Sequence, residues 1–104
     1  AAAMSLKTIE AEPDNVTYLD TYAWIMFVSK NYGLARTYID KTIKLAEKTA
    51  ENASLFEHAG DIYAKLGQTS RALEYWRTAL QLTQEPDTRR LIQKKIKLRK
   101  YVAQ

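Results

Sequence analysis

The chain has no cysteine, three glycines, two prolines, and no apolar run longer than the seven residues from Tyr22 to Val28. Each shortage removes a class of answer. Without cysteine there is no disulfide framework, and both cytosolic and exported compartments stay open. Scarce glycine and proline beside abundant Ala, Leu, Lys and Glu favour helices over sheets. A membrane helix needs ~20 apolar residues, far more than any stretch here. The N-terminus carries no secretory leader pattern. What remains is 104 residues with an ordinary globular composition, 46% hydrophobic and 27% charged. That is enough chain for one core and one domain.

Charge is unevenly spread. Residues 87–104 hold seven basic side chains (Arg89, Arg90, Lys94, Lys95, Lys97, Arg99 and Lys100) against Asp87 alone, a net of +6, while the other 86 residues sum to −2. The overall +4 therefore belongs to the tail, and the body is mildly acidic.

Six helical segments can be read in order. Residues 2–11 run unbroken to the stop cluster Glu12-Pro13-Asp14-Asn15. A helix over 16–29 follows, capped by Asn15 or Asp14, with Leu19, Tyr22, Ala23 and Met26 forming one stripe. Trp24, Phe27 and Val28 lie off that stripe, so this helix must be contacted on more than one side, as in a layered stack. The next, over 32–49, aligns Ala35, Ile39, Thr42, Ile43 and Ala46. A polar link leads to a helix over 53–66 with Phe56, Ala59, Gly60 and Tyr63, closed by Gly67, whose missing Cβ suits a left-handed end. A helix over 69–83 carries Ala72, Trp76, Ala79 and Leu80. After Pro86, a basic helix over 87–102 keeps the thinner apolar set Leu91, Ile92, Ile96 and Leu98.

The two central hairpins repeat. With a shift of 37 residues, Leu19, Tyr22, Ala23, Met26, Ala35, Ile39 and Thr42 fall on Phe56, Ala59, Gly60, Tyr63, Ala72, Trp76 and Ala79. A two-helix unit recurring at this length marks a superhelical array. The pattern resembles the tetratricopeptide repeat family, W-x2-L-G-x2-Y, then A-x3-F, then P. The second hairpin supplies Phe56-x2-Ala59-Gly60-x2-Tyr63 and Ala72-x3-Trp76. The first supplies Leu19-x2-Tyr22-Ala23-x2-Met26 and Ala35-x3-Ile39, with Lys30 where the turn glycine stands in the second. The family proline would fall at Glu47 and Gln84, and Pro86 comes two residues late. The long period implies an extended link near residues 48–53. The resemblance implies an all-α, right-handed superhelical array in a single domain 1–104. Within it, 1–12 would be a half repeat, 15–49 and 53–84 full repeats, and 87–103 a capping helix. It also implies the C-terminal part of a longer array, with an N-terminal edge open to self-association.

In such arrays the first helix of each hairpin lines a concave groove. Opposite the packing stripes lie Thr17, Asp20, Thr21, Trp24 and Val28, then Ser54, Glu57, His58, Asp61 and Lys65. This acidic strip with one aromatic anchor suits a peptide or helix bearing basic and apolar side chains, with Trp24 as the hot spot. The competing reading is that neighbouring helices cover Trp24 and Phe27. Glu57, His58 and Asp61 fall within about one turn, but the chain has one histidine and no cysteine to complete a metal site, so a solvated polar strip is expected. No nucleophile triad, phosphate loop or metal motif is present, and the reading is of a protein that is not an enzyme and needs no cofactor. The alternative is nucleic-acid or anionic-surface binding through Arg89, Arg90, Lys94, Lys97 and Lys100. Against nucleic acid, those cations are not interleaved with base-stacking aromatics, Tyr101 being the one ring among them. A solubilising cap explains them as well.

The expected function is thus non-catalytic protein–protein interaction. Its scaffold makes a direct prediction. Gly60 and Ala72 let the helices approach while Trp76 fills the wedge, so Trp76→Ala should lower stability by ~3–5 kcal/mol through the cavity it leaves. A chemical denaturation midpoint equal to the parent's would refute the assignment.

Overall fold

The computed structural model describes residues 9–103, and among these every regular element is helical. They are α1 (Val16–Val28), α2 (Tyr32–Leu45), a 3-10 turn (Ala50–Asn52), α3 (Ala53–Lys65), α4 (Thr69–Leu82) and α5 (Pro86–Leu98). Residues 9–11 are also helical, whereas most of the expected half repeat, 1–8, lies outside the described residues. The chain divides into two compact units, parted in sequence between Ala46 and Glu47.

The first unit is the α1–α2 hairpin. Asn15 starts it, its side chain accepting from the Tyr18 N–H at 3.1 Å. Leu19, Tyr22, Ala23 and Met26 of α1 are buried, as are Ala35, Ile39 and Thr42 of α2. Ala23 and Ala35 are fully enclosed, as expected where two helices come close. Tyr22 meets Tyr38 edge to face with centroids 4.6 Å apart, the arrangement ring quadrupoles prefer. The Thr42 hydroxyl, buried without a side-chain partner, donates to the Tyr38 carbonyl at 2.8 Å.

The second unit is the α3–α4 hairpin with α5 packed on it. Phe56, Ala59, Gly60 and Tyr63 are buried on α3, and Ala72, Leu73, Trp76 and Ala79 on α4. The Trp76 indole lies against the backbone of Gly60, so closely that a Cβ added there would clash with ring atoms Cδ1, Nε1 and Cγ. Gly60 is required by this contact, not by its backbone conformation. From α5 the wholly buried apolar side chain is Ile92.

Both hairpins are built to one template. Each pairs a helix of 13 residues with one of 14, and all four boundaries recur at the 37-residue shift. The turns recur too. Lys30 has φ 66° and Gly67 φ 78°. In the first turn Lys30 N–H donates to Phe27 O at 3.0 Å and Asn31 N–H to Met26 O at 2.8 Å; in the second Gly67 N–H donates to Ala64 O at 3.1 Å and Gln68 N–H to Tyr63 O at 3.0 Å. These pairs satisfy carbonyls that the helix end leaves open, in the Schellman arrangement.

Two helix ends differ from the sequence expectation. The second helix stops at Leu45, not near residue 49, because Ala46 turns extended (ψ 137°). The extra length of the repeat thus sits wholly in residues 46–52, where Asn52 Nδ2 donates to Glu47 O at 2.9 Å. The last helix stops at Leu98, since Arg99 adopts left-handed geometry at φ 55°. Its start is set by Glu85, whose carboxylate accepts from the Asp87 and Thr88 N–H groups at 3.1 and 2.6 Å. Those bonds, the Thr88 backbone first, hold the Glu85 carboxyl below its ordinary range.

The matched turns set up a paired test. At Lys30 the left-handed backbone is unfavourable for a residue with a Cβ by ~1–2 kcal/mol. Lys30→Gly should therefore raise stability by up to ~1 kcal/mol, the gain being reduced by the flexibility glycine adds to the unfolded chain. Gly67→Ala should lower it by ~1 kcal/mol, although a Cβ there meets nothing within 4 Å. Urea denaturation of the two variants showing any other pair of signs would contradict this account of the turns.

Candidate functional site

The expected site residues fall into three groups. On α1, Thr17 and Val28 are exposed, Val28 at 66%, while Asp20 and Trp24 are half-buried. The Trp24 indole stacks on Phe27 with centroids 4.6 Å apart and an 18° interplanar angle, and Phe27 is buried. Phe27 in turn tilts against Tyr32 at 5.5 Å. Trp24 is therefore held rigidly by its own hairpin with part of its surface open. Thr21, exposed on the same side, donates its hydroxyl back to Thr17 O at 2.8 Å.

The strip on α3 is used differently. Ser54 and Lys65 are exposed and His58 is half-buried, but Asp61 is buried at 1% exposure. The sequence placed Asp61 on a solvated, partner-facing strip, and the structure corrects that. Its carboxylate accepts from the Trp76 indole N–H at 3.0 Å and from Lys95 Nζ of α5 at 2.9 and 3.1 Å. Lys95 also donates to Glu57 Oε2 at 2.7 Å. The reason is steric and electrostatic together. Asp61 and Glu57 lie one turn apart on α3, and the Lys95 side chain reaches both from α5. The chain beyond α5 adds to the cover, as the Tyr101 ring lies 5.4 Å from Lys95 Nζ and 5.5 Å from Lys65 Nζ.

This cluster has an odd charge count, one ammonium between two carboxylates. The Lys95 and Asp61 side chains are each 2% exposed, and Glu57 15%. Burial pushes the Asp61 carboxyl up from 3.8 to about 6; Lys95, by its charge and its hydrogen bond, opposes the rise, Glu57 adds to it, and the Trp76 N–H opposes it. The folded chain therefore keeps the Asp61 proton to higher pH than the unfolded chain does. Its contribution to stability is fully present below the unfolded value of 3.8 and is lost as pH rises through about 6.

The basic tail is also reassigned in part. Arg89 is half-buried, and its guanidinium donates to the Leu80 and Thr83 carbonyls at 2.5 and 2.9 Å, closing the end of α4. Arg90 pairs with Asp87 on the surface. Lys94, Lys97 and Lys100 remain exposed. Lys95, one of the seven basic residues of the tail and outside the candidate basic surface, is the central residue of the buried cluster. A signal was available in the sequence, because Lys95 stands beside Ile96 and one turn from Ile92, on the apolar stripe of α5.

Among solved structures, the fold is similar to the N-terminal domain of stress-induced protein-1 (STI-1) from C. elegans, with a TM-score of 0.69 and 20% sequence identity over 86% of this chain and 74% of that one. No family model matches the sequence, and no curated protein matches it significantly. At this identity the likeness establishes the fold, which is all-α and tetratricopeptide-like. Among the described residues, no helix is long and apolar enough to cross a membrane.

The cluster predicts an asymmetry among neighbouring lysines. Lys95→Met leaves two carboxylates in a buried site without their cation and should cost ~3–5 kcal/mol. Lys94→Met, one residue away on the surface, should stay within ~0.5 kcal/mol of the parent. Equal denaturation midpoints for the two variants would remove Lys95 from the core.

Proposed function

We propose that this chain is a non-catalytic protein–protein interaction module, a tetratricopeptide-like domain in which α1–α2 and α3–α4 are the two repeats and α5 caps the second. The binding surface is the outward strip of α1, Thr17, Asp20, Trp24 and Val28, successive at about one-turn spacing on the side away from Leu19, Tyr22 and Met26. The observation that carries this reading is Val28, a large apolar side chain 66% exposed one turn beyond the half-buried, rigidly stacked Trp24. Rigid aromatic anchors beside apolar surface are where binding energy concentrates. Asp20 at the other end of the strip favours a peptide or helix that carries a basic side chain next to an apolar one. Glu57 and Asp61 support the scaffold in this proposal, and His58 and Lys65 lie on the flank of α3. The alternative basic surface is weaker than its sequence suggests. Arg89 and Lys95 are committed to internal contacts and Arg90 is paired, so no second function is proposed for it.

A panel of basic-apolar peptides read by fluorescence anisotropy tests the proposal. Trp24→Ala should weaken binding at least tenfold while circular dichroism stays helical, since hot-spot truncations cost ≥ ~2 kcal/mol. Lys94→Glu/Lys97→Glu should leave it nearly unchanged. Binding that ignores Trp24 but collapses with salt and with the lysine reversals would overturn the α1 strip.

A further inference from the structure

We propose that the contact of Lys95 with Asp61 and Glu57 is a proton-operated latch that sets how firmly α5 is held against α3. The inference rests on the second unit alone and does not depend on the α1 strip. Two side chains of α5 are buried, Ile92 and Lys95, so half of its embedded anchor is a charge. Leu98, the last apolar residue of the helix, is 45% exposed. Leu91 and Ile96 are half-buried and α5 packs along α4, so the contact of Lys95 is what ties α5 to α3, and it depends on the charge of its partners.

The cluster has a definite imbalance. With every group ionised it carries one positive and two negative charges, Asp61 and Lys95 enclosed and Glu57 at the rim, an unfavourable arrangement in low dielectric. One proton on Asp61 removes the excess. Neutral Asp61 still accepts from the Trp76 indole, and Lys95 keeps the Glu57 carboxylate at 2.7 Å. The closed state is thus tightest when Asp61 is protonated and loosens as it ionises. The groups that face Asp61 are Lys95 from α5, the uncharged indole N–H of Trp76 from α4, and Glu57 from its own helix. The Tyr101 ring lies over both Lys95 and Lys65, so the segment after α5 covers the cluster from outside. Loosening uncovers an acidic face on α3, made of Glu57 and Asp61.

Because Asp61 titrates near 6, the latch works between mildly acidic and neutral pH. Hydrogen exchange on the full chain reads it directly. Corrected for intrinsic rates, the amide protection of residues 92–96 should fall roughly tenfold or more between about pH 5 and pH 7.5, a pKa difference of one unit being a factor of ten. Protection in α3 and α4 should change much less. Asp61→Asn, which keeps an acceptor for Trp76 and cannot ionise, should abolish the pH dependence in α5. Glu57→Gln removes the excess charge and should move the midpoint to lower pH. Protection of α5 that does not vary with pH, the same dependence in Asp61→Asn, an unmoved midpoint in Glu57→Gln, or loss of protection in all three helices together would each overturn the latch.

Discussion

The second unit depends on the absence of one methyl group. With no Cβ at Gly60, the Trp76 indole can come up against the backbone of α3, fully enclosed. That position also turns the indole N–H toward Asp61, one residue along the helix, and gives the carboxylate a donor. Asp61 then holds Lys95, and Lys95 brings α5 into the unit. Close packing, a buried hydrogen bond and an ion pair are therefore successive consequences of a single small residue. In the first hairpin the same register gives Ala23 and Ile39, both fully buried, and Trp24 stands where the second has Asp61.

Burying charge is expensive, and the arrangement shows how the expense is limited. Each charged atom has close partners: the Asp61 carboxylate has Trp76 and Lys95, while Lys95 reaches two carboxylates and lies under the Tyr101 ring. A well-packed apolar pair could serve α5 as well or better in stability. What the ionic cluster adds is specificity of position and sensitivity to protons, neither of which an apolar contact provides.

The repeat, the two hairpins and the all-helical class were legible because they rest on periodic placement of small and large apolar residues, with no long-range information required. Even the turn at Lys30 was visible as the counterpart of Gly67, and both adopt left-handed geometry. The end of α2 at Leu45 was not legible, since residues 46–49 contain no breaker. The extended backbone at Ala46 has its counterpart at Thr83, so the hairpin template sets that end and helix propensity does not. The candidate site was read less well, because a helical wheel shows which way Asp61 points but not what comes to meet it.

The sequence by itself determined the fold, the repeat register and the residues that must be small, because these follow from periodicity and side-chain volume along one helix at a time. The tertiary structure decided the fate of Asp61, Glu57 and Lys95. Asp61 and Lys95 are 34 positions apart in the chain and read separately, one on an acidic strip and one in a basic tail. Coulomb attraction and desolvation depend on distance and burial, and neither exists until α5 packs on the α3–α4 hairpin.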